Sequence, residues 1–484
     1  MRHARSRNTE QGQITVFFAF GILFLVMATG LAIDAGICYV AKAKLSAAVD
    51  GACLAGMKSL GPQGQATATT VATDIFYANY GAHPPTPTVT FPTDSSGNQQ
   101  VKVTATTNVR TLFMQVVSAW KTVPVSATAV ATRAKLIMTV VVDRSGSMCG
   151  GTDACGTGDP PTGDNGGEAV QAAVPDFIAN FDNTPNTGDE IGLVSFSDNA
   201  VINYSINYSF QSPIDTAIHG MHFIGGTFGT GAGTGTLLST TMGPPLSLAG
   251  VQNDSVSIAS GQNVVKVIVY LTDGLMNTVQ DKLHCLGKNG NSNPDTLLNY
   301  GGYDVSSGSS QCAAIFDPTS ATTEFDTAVA SCSSLSSANF SYNASASICK
   351  DSSGNNVHGF TSQQTGATTS FLQTNVTGEA KYRAKKTAIT LESESPHPNF
   401  IYTIGLGSSI DTCTEALLAT IANDPNAASY SCPTSPGVYN AHQATGEFFY
   451  IPGTECPGSG SSCSNAMRQV FQMIAAKVLL RLTQ

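Results

Sequence analysis

Charge is scarce in this 484-residue chain: Asp, Glu, Lys and Arg make up 12% of it, and the balance is acidic, with a formal net charge of −10. No basic stripe runs through it. That argues against nucleic acid, whose phosphates call for clustered Lys and Arg. Cys-x-x-Cys pairs are absent, which excludes the usual structural zinc frameworks. No Gly-x-Ser-x-Gly surrounds Ser145, and no nucleophile–base pair stands out, so the chain reads as a binding protein and not as an enzyme. His219 and His222 sit three apart on a helical stretch with nothing to complete a metal shell. They read as a surface pair.

What is present begins with Lys135 to Cys149. Leu136 to Val142 is an unbroken apolar, β-branched run, the mark of a strand buried on both faces of a parallel sheet. It stops at Asp143, and Ser145 and Ser147 follow in the spacing Asp-x-Ser-x-Ser. A carboxylate and two hydroxyls are hard oxygen ligands suited to Mg²⁺, Mn²⁺ or Ca²⁺. Val264 to Thr272 is a second apolar strand, and it ends in Asp273-Gly274. Ligands of open α/β sheets bind beyond the carboxyl ends of strands, where strand order reverses. Two strands ending in Asp suit such a site.

These residues resemble the von Willebrand factor A (VWA) family and its metal-ion-dependent adhesion site (MIDAS), over roughly residues 135–484. The resemblance implies a doubly wound, mostly parallel, Rossmann-like sheet. It implies a divalent cation, Mg²⁺ before Mn²⁺ or Ca²⁺, on Asp143, Ser145, Ser147, Thr227 and Asp273. It also implies an open coordination position for an acidic residue of a protein partner. The middle Thr has two candidates. Thr227, in Gly-Gly-Thr after an amphipathic stretch, is favoured over Thr240.

At the N-terminus, Arg2, Arg5 and Arg7 precede an uncharged run from Ile14 to Ile33, about 20 residues and long enough to cross a bilayer as a helix. A cleaved signal peptide is the rival, but its apolar core is usually shorter. The basic residues place the N-terminus in the cytoplasm and the bulk of the chain outside it, although Lys42 and Lys44 weaken that asymmetry. The order span, Ala-Ile-Asp34-Ala-Gly, Ala-Val-Asp50-Gly-Ala resembles the N-terminal segment of TadE/TadG-like proteins of tight-adherence (Tad, Flp-type) pilus assembly. The chain departs from a prepilin cleavage pattern, because Phe17 stands where Glu is expected after Gly12. The resemblance implies a bacterial membrane location, single-pass, facing the periplasm or cell surface, with pilus or envelope components as partners.

The expected organisation is residues 1–13 in the cytoplasm, a transmembrane helix over 14–33, and a TadE/TadG-like helix with a small α+β module over 34–134. A VWA domain follows over 135–484. Within it, residues 284–378 turn to Ser, Asn, Gly and Thr and read as an insertion beside the metal edge. Asp153, Asp159, Asp164 and Glu168 lie in an acidic Gly-rich loop without EF-hand spacing, which reads as solvated. Ten of the 12 cysteines fall in even numbers within successive connections, which predicts local disulfides and an oxidising compartment. The expected pairs are Cys149–Cys155, Cys413–Cys432, Cys456–Cys463 and two among Cys285, Cys312, Cys332 and Cys349. The functional expectation is a membrane-anchored, metal-dependent adhesion protein of pilus assembly or surface attachment. The alternatives are a structural Tad component with a silent metal site and, less favoured, a metal-dependent hydrolase.

Overall fold

The computed structural model describes residues 10–60, 64–116, 120–149, 165–184, 188–197, 200–221, 223, 243–274, 278–286, 296–301, 313–316, 340–343, 348–351, 356–357, 369–433, 436–456 and 463–482. The chain divides into two compact units, Met1–Ala134 with the last two residues, and Lys135–Leu482.

The first unit is built on one long helix, α1 (Glu10–Ser59), which carries the expected span without a break and continues well past it. Its first half exposes Val16, Phe17, Phe18, Phe20 and Phe24. It is the one helix among the described residues long and apolar enough to cross a membrane. Its second half behaves differently. Leu45, Ala48, Val49, Ala52, Cys53 and Met57 recur at helical spacing and are buried, so this stretch has one apolar face. That face packs on α2 (Gly64–Tyr80) and on a three-stranded antiparallel sheet of β1 (Thr88–Thr90), β2 (Gln99–Arg110) and β3 (Thr122–Arg133). Val101, Val103 and Ala105 alternate inward on β2, the period of a half-buried strand. Cys53 is a packing residue of this core, and its thiol donates to the Val101 carbonyl at 3.0 Å.

The second unit is a six-stranded sheet. Its elements in chain order are β4 (Lys135–Asp143), α3 (Gly166–Ile178), β5 (Glu190–Phe196), β6 (Ala200–Asn207), α4 (Gln211–His219), α5 (Gly243–Asp254) and β7 (Val264–Thr272). Six short strands follow: β8 (Thr278–Leu286), β9 (Thr296–Gly301), β10 (Ala313–Phe316), β11 (Phe340–Asn343), β12 (Ile348–Asp351) and β13 (Asn356–Val357). The chain then returns through α6 (Thr369–Glu392), β14 (Asn399–Leu406), α7 (Thr412–Ile421), β15 (Glu447–Ile451) and α8 (Cys463–Arg481).

Spatial order in the sheet is β15-β14-β7-β4-β5-β6. Only β6, at the edge, runs antiparallel to its neighbour; the other pairings are parallel. Strand order therefore reverses between β4 and β7, the two strands that end in Asp143 and Asp273. β4 and β5 are buried nearly throughout, as strands covered on both faces must be. α5, α6 and α7 supply one covering layer, with Leu246, Ala249, Ala384, Leu391 and Leu417 packed on Val141, Ile268 and Tyr270. On the other layer α3 meets α8, where Phe177 stacks on Phe471 with ring centroids 4.7 Å apart.

α3 begins at Gly166 and holds Pro175 inside. Its start is fixed by a capping box, in which Asn165 accepts from the Glu168 amide at 3.1 Å while Glu168 accepts from the Asn165 amide at 3.3 Å. Glu168 is thus a buried helix cap and not a solvated loop acid. The described parts of the 284–378 stretch form antiparallel strands in two small sheets, β10-β8-β9 and β11-β12-β13, and α6 starts at Thr369, inside the expected insertion. Cys413–Cys432 and Cys456–Cys463 are bonded as expected. The remaining outer cysteines lie outside the described residues or have undescribed side chains.

Candidate functional site

The candidate site forms where β4 and β7 end side by side. β4 stops because Asp143 turns its carboxylate back on the chain: its Oδ1 accepts from the Ser145 amide at 2.8 Å. This local Asx turn competes with strand continuation. The Arg144 amide still donates to the Phe196 carbonyl at 2.8 Å, so the turn is pinned to β5. A single 3₁₀ turn over Gly146–Cys149 follows. It brings Ser147 back towards Ser145, with their hydroxyl oxygens 3.0 Å apart. Gly166, at the start of α3, backs this turn; a Cβ there would stand 2.8 Å from Leu406 and 3.2 Å from the Met148 carbonyl.

β7 adds the other half. Thr272 donates to Asp143 Oδ2 at 2.7 Å, and Ser147 donates to Asp273 Oδ1 at 2.9 Å. Asp143, Ser145, Ser147 and Asp273 are therefore joined in one hydrogen-bonded cluster. Thr227 and its rival Thr240 lie outside the described residues. Thr272 was not singled out by the sequence reading. The signal was there, a hydroxyl residue one place before the Asp at a strand end, but only the register of β7 beside β4 shows that it reaches Asp143.

Asp143 is fully buried and Asp273 nearly so. Burial pushes the Asp273 carboxyl up to about 8, and the neighbouring charge of Asp143 adds to the shift. Burial raises Asp143 as well, opposed by its bonds to Thr272 and Ser145. Beneath the pair, the Tyr270 ring stacks on Phe196 at 5.0 Å. Its hydroxyl and those of Ser195 and Ser197 are buried with no hydrogen-bond partner among the described residues. No cluster of three or more His, Cys, Asp or Glu side chains occurs among the described residues. The donor set is two carboxylates and two serine hydroxyls, oxygen throughout, which fits a hard cation such as Mg²⁺ and does not fit zinc. On α4, His219 Nδ1 lies 3.2 Å from its own helix neighbour Asp215; His222 is outside the described residues.

The Tad family description, Flp pilus-assembly TadE/G-like, matches residues 12–68. Residues 12–68 are similar to that family. They comprise most of α1 and the start of α2. No curated protein matches the chain. Among solved structures, the vWF domain of the type V pili tip protein Mfa5 from Porphyromonas gingivalis aligns at TM-score 0.34 and 13% identity, covering 73% of this chain and 98% of that one. The pilus adhesin SpaC from Lactobacillus rhamnosus GG aligns at TM-score 0.34 and 13% identity over 82% of this chain, which spans only 35% of SpaC. The PilB minor pilin from Streptococcus sanguinis aligns at TM-score 0.33 and 13% identity, covering 82% and 79% of the two chains.

Proposed function

We infer that this chain is a membrane-anchored binding protein of pilus assembly or surface attachment that takes an acidic side chain of a partner through a bound divalent cation. The observation that carries the reading is the convergence of Asp143, Ser145, Ser147 and Asp273 at the switch point of the sheet. Two buried carboxylates facing one another are costly unless protonated or matched by positive charge. Mg²⁺ fits the donors best, with Mn²⁺ and Ca²⁺ as alternatives, and Thr227 is the candidate for a further ligand. When bound, the cation supplies an open coordination position for a carboxylate oxygen. The protein's own residues do the rest. Asp143 is held by Thr272 and the Ser145 amide, Asp273 by Ser147, and the turn on Gly146 keeps both serines at the sheet edge. The TadE/G-like segment supports the pilus context. The span in α1 supports membrane anchoring, with the N-terminus cytoplasmic and the second unit outside.

Titration calorimetry of the detergent-solubilised full-length chain with Mg²⁺ and Mn²⁺ tests the reading. A saturable heat that disappears in Asp143→Ala is expected. No heat with Mg²⁺, Mn²⁺ or Ca²⁺ would reject cation binding and leave the alternative of a structural pilus-assembly component. That alternative has one observation in its favour: serine and threonine hydroxyls already bond to both carboxylates.

A further inference from the structure

In the first unit, the tip of the β2–β3 hairpin is tied to α1 at the end of the apolar run. Phe113 lies so close over Gly30 that a Cβ there would stand 2.5 Å from its ring. One turn further along α1, the buried Asp34 carboxylate accepts three backbone amides of the tip, from Leu112 at 2.7 Å, Phe113 at 3.0 Å and Met114 at 2.7 Å. Thr111 closes the base of the tip, donating from Oγ1 to the Trp120 carbonyl at 2.6 Å and from its amide to the Lys121 carbonyl at 3.2 Å. The backbone of residues 111–114 and 120–121 is thus held.

Its large side chains nevertheless face outward. Leu112 is 55% exposed, Phe113 43% and Trp120 52%. Through Phe113 on Gly30 the tip adjoins α1, where Val26, Met27, Leu31 and Ile33 are exposed as well. Arg110 and Lys121, both exposed, stand at the base of the tip. An aromatic and aliphatic tip with a basic collar is the arrangement that suits the boundary between lipid tails and headgroups. Depth agrees. Gly30 precedes Ile33, the last residue of the run, by about 4.5 Å of helix rise, so Phe113 sits just inside the end of the span. Asp34 at that level would be costly in lipid without donors, and the tip amides supply them.

We propose that the tip residues 111–116 and 120–121, clamped by Asp34, insert Leu112, Phe113 and Trp120 into the lipid boundary at the end of the α1 span, fixing how deep the helix sits. The proposal rests on the reading that α1 crosses a bilayer. Trp120 is the single tryptophan of the chain, so its fluorescence reports on this tip alone. The full-length protein is reconstituted in phosphatidylethanolamine–phosphatidylglycerol vesicles containing lipids brominated at shallow or deep acyl positions. Shallow bromine should quench Trp120 more than deep bromine, and aqueous iodide should quench it little. In Asp34→Ala the emission should shift to the red and lipid quenching should be lost while the chain still resists carbonate extraction. Trp120 open to iodide and untouched by bromine in a carbonate-resistant chain would overturn the proposal and leave the α1 reading standing. Trp120 shielded from both quenchers would assign the tip to a protein neighbour and also overturn it. A chain stripped by carbonate would overturn the α1 reading and the proposal together.

Discussion

The two units bury aspartates in opposite ways. In the first, Asp34 is enclosed by backbone amides: three N–H groups converge on its two oxygens. In the second, Asp143 takes one amide, from Ser145, and the Thr272 hydroxyl, and Asp273 takes the Ser147 hydroxyl, which in turn lies against that of Ser145. Amides are fixed dipoles that favour the ionised form and cannot be displaced without breaking the fold. Hydroxyls can rotate, donate or ligate. A carboxylate caged in amides is thus a structural clamp, and a carboxylate pair bridged by hydroxyls is a site that can exchange its partners. Other buried aspartates of the second unit follow the clamp pattern. Asp189 accepts the Leu136 amide at 3.0 Å and the Asp182 amide at 2.9 Å, and Asp424 accepts the Phe448 amide at 3.0 Å. The pair at the sheet edge stands apart from them.

The sharpest break of this contrast is a comparison of alanine variants. Asp143→Ala should abolish the calorimetric response to Mg²⁺ while leaving the secondary structure intact by circular dichroism. Asp34→Ala should leave that response unchanged and open the hairpin tip. Hydrogen exchange at the amides of Leu112, Phe113 and Met114 should then accelerate by roughly tenfold or more, because each loses its acceptor. Equal exchange in the two proteins would show that Asp34 is not a clamp.

Glu392, at the end of α6, gives a third arrangement. It is buried, its Oε1 has no hydrogen-bond partner among the described residues, and burial raises its pKa to about 9. With no amide or cationic side chain bonded to it among the described residues, this carboxyl is held protonated by its burial. The folded state then binds more protons than the unfolded one between pH 4.5, the ordinary value, and about 9. The contribution of Glu392 to stability therefore falls as pH rises through that window. Glu392→Gln removes the dependence. The variant should match the parent near pH 5 and exceed it at pH 8 by about 2–3 kcal/mol, read from thermal or denaturant unfolding. Parallel pH profiles would mean that the carboxyl is hydrated.

The parts of this molecule visible in the sequence are those whose physics is local. β4 and β7 could be read because strands buried on both faces must be apolar at nearly every position, and both runs end abruptly in Asp. The span in α1 and the face of α8 at Met467, Val470, Phe471, Ile474 and Val478 follow from period and length. The sequence reading failed where the partner is remote or is backbone. The amides of residues 112–114 leave no trace in side-chain identity, so nothing marked Asp34 as their acceptor. Thr272 was one of many threonines until β7 was set beside β4. Glu168 looked like one more acid in a Gly-rich loop until Asn165 supplied the other half of its cap. The start of α6 was hidden because Thr369–Gly378 is rich in β-branched and polar residues of poor helix propensity. Two of the local disulfides were legible because each pair sits within one connection.

The finest test of the contrast is a change of sign. Asp273 is raised to about 8 from the ordinary 3.8, by burial and then by Asp143. In the absence of a cation its contribution to stability is therefore lost as pH rises from about 3.8 to about 8. Asp273→Asn keeps the shape and removes both the buried charge and the repulsion. In EDTA at pH 8 this variant should be more stable than the parent, by on the order of 1 kcal/mol once solvent relaxation around the pair is allowed for. In saturating Mg²⁺ the order should reverse, because only the parent gains stability from binding. Asp34→Asn, by contrast, should destabilise the hairpin tip with or without the cation, since an amide offers one acceptor oxygen in place of two. Differential scanning fluorimetry in EDTA and in Mg²⁺ separates the two cases. Asp273→Asn less stable than the parent in EDTA would place Asp273 with the clamps and remove the basis for an exchangeable site.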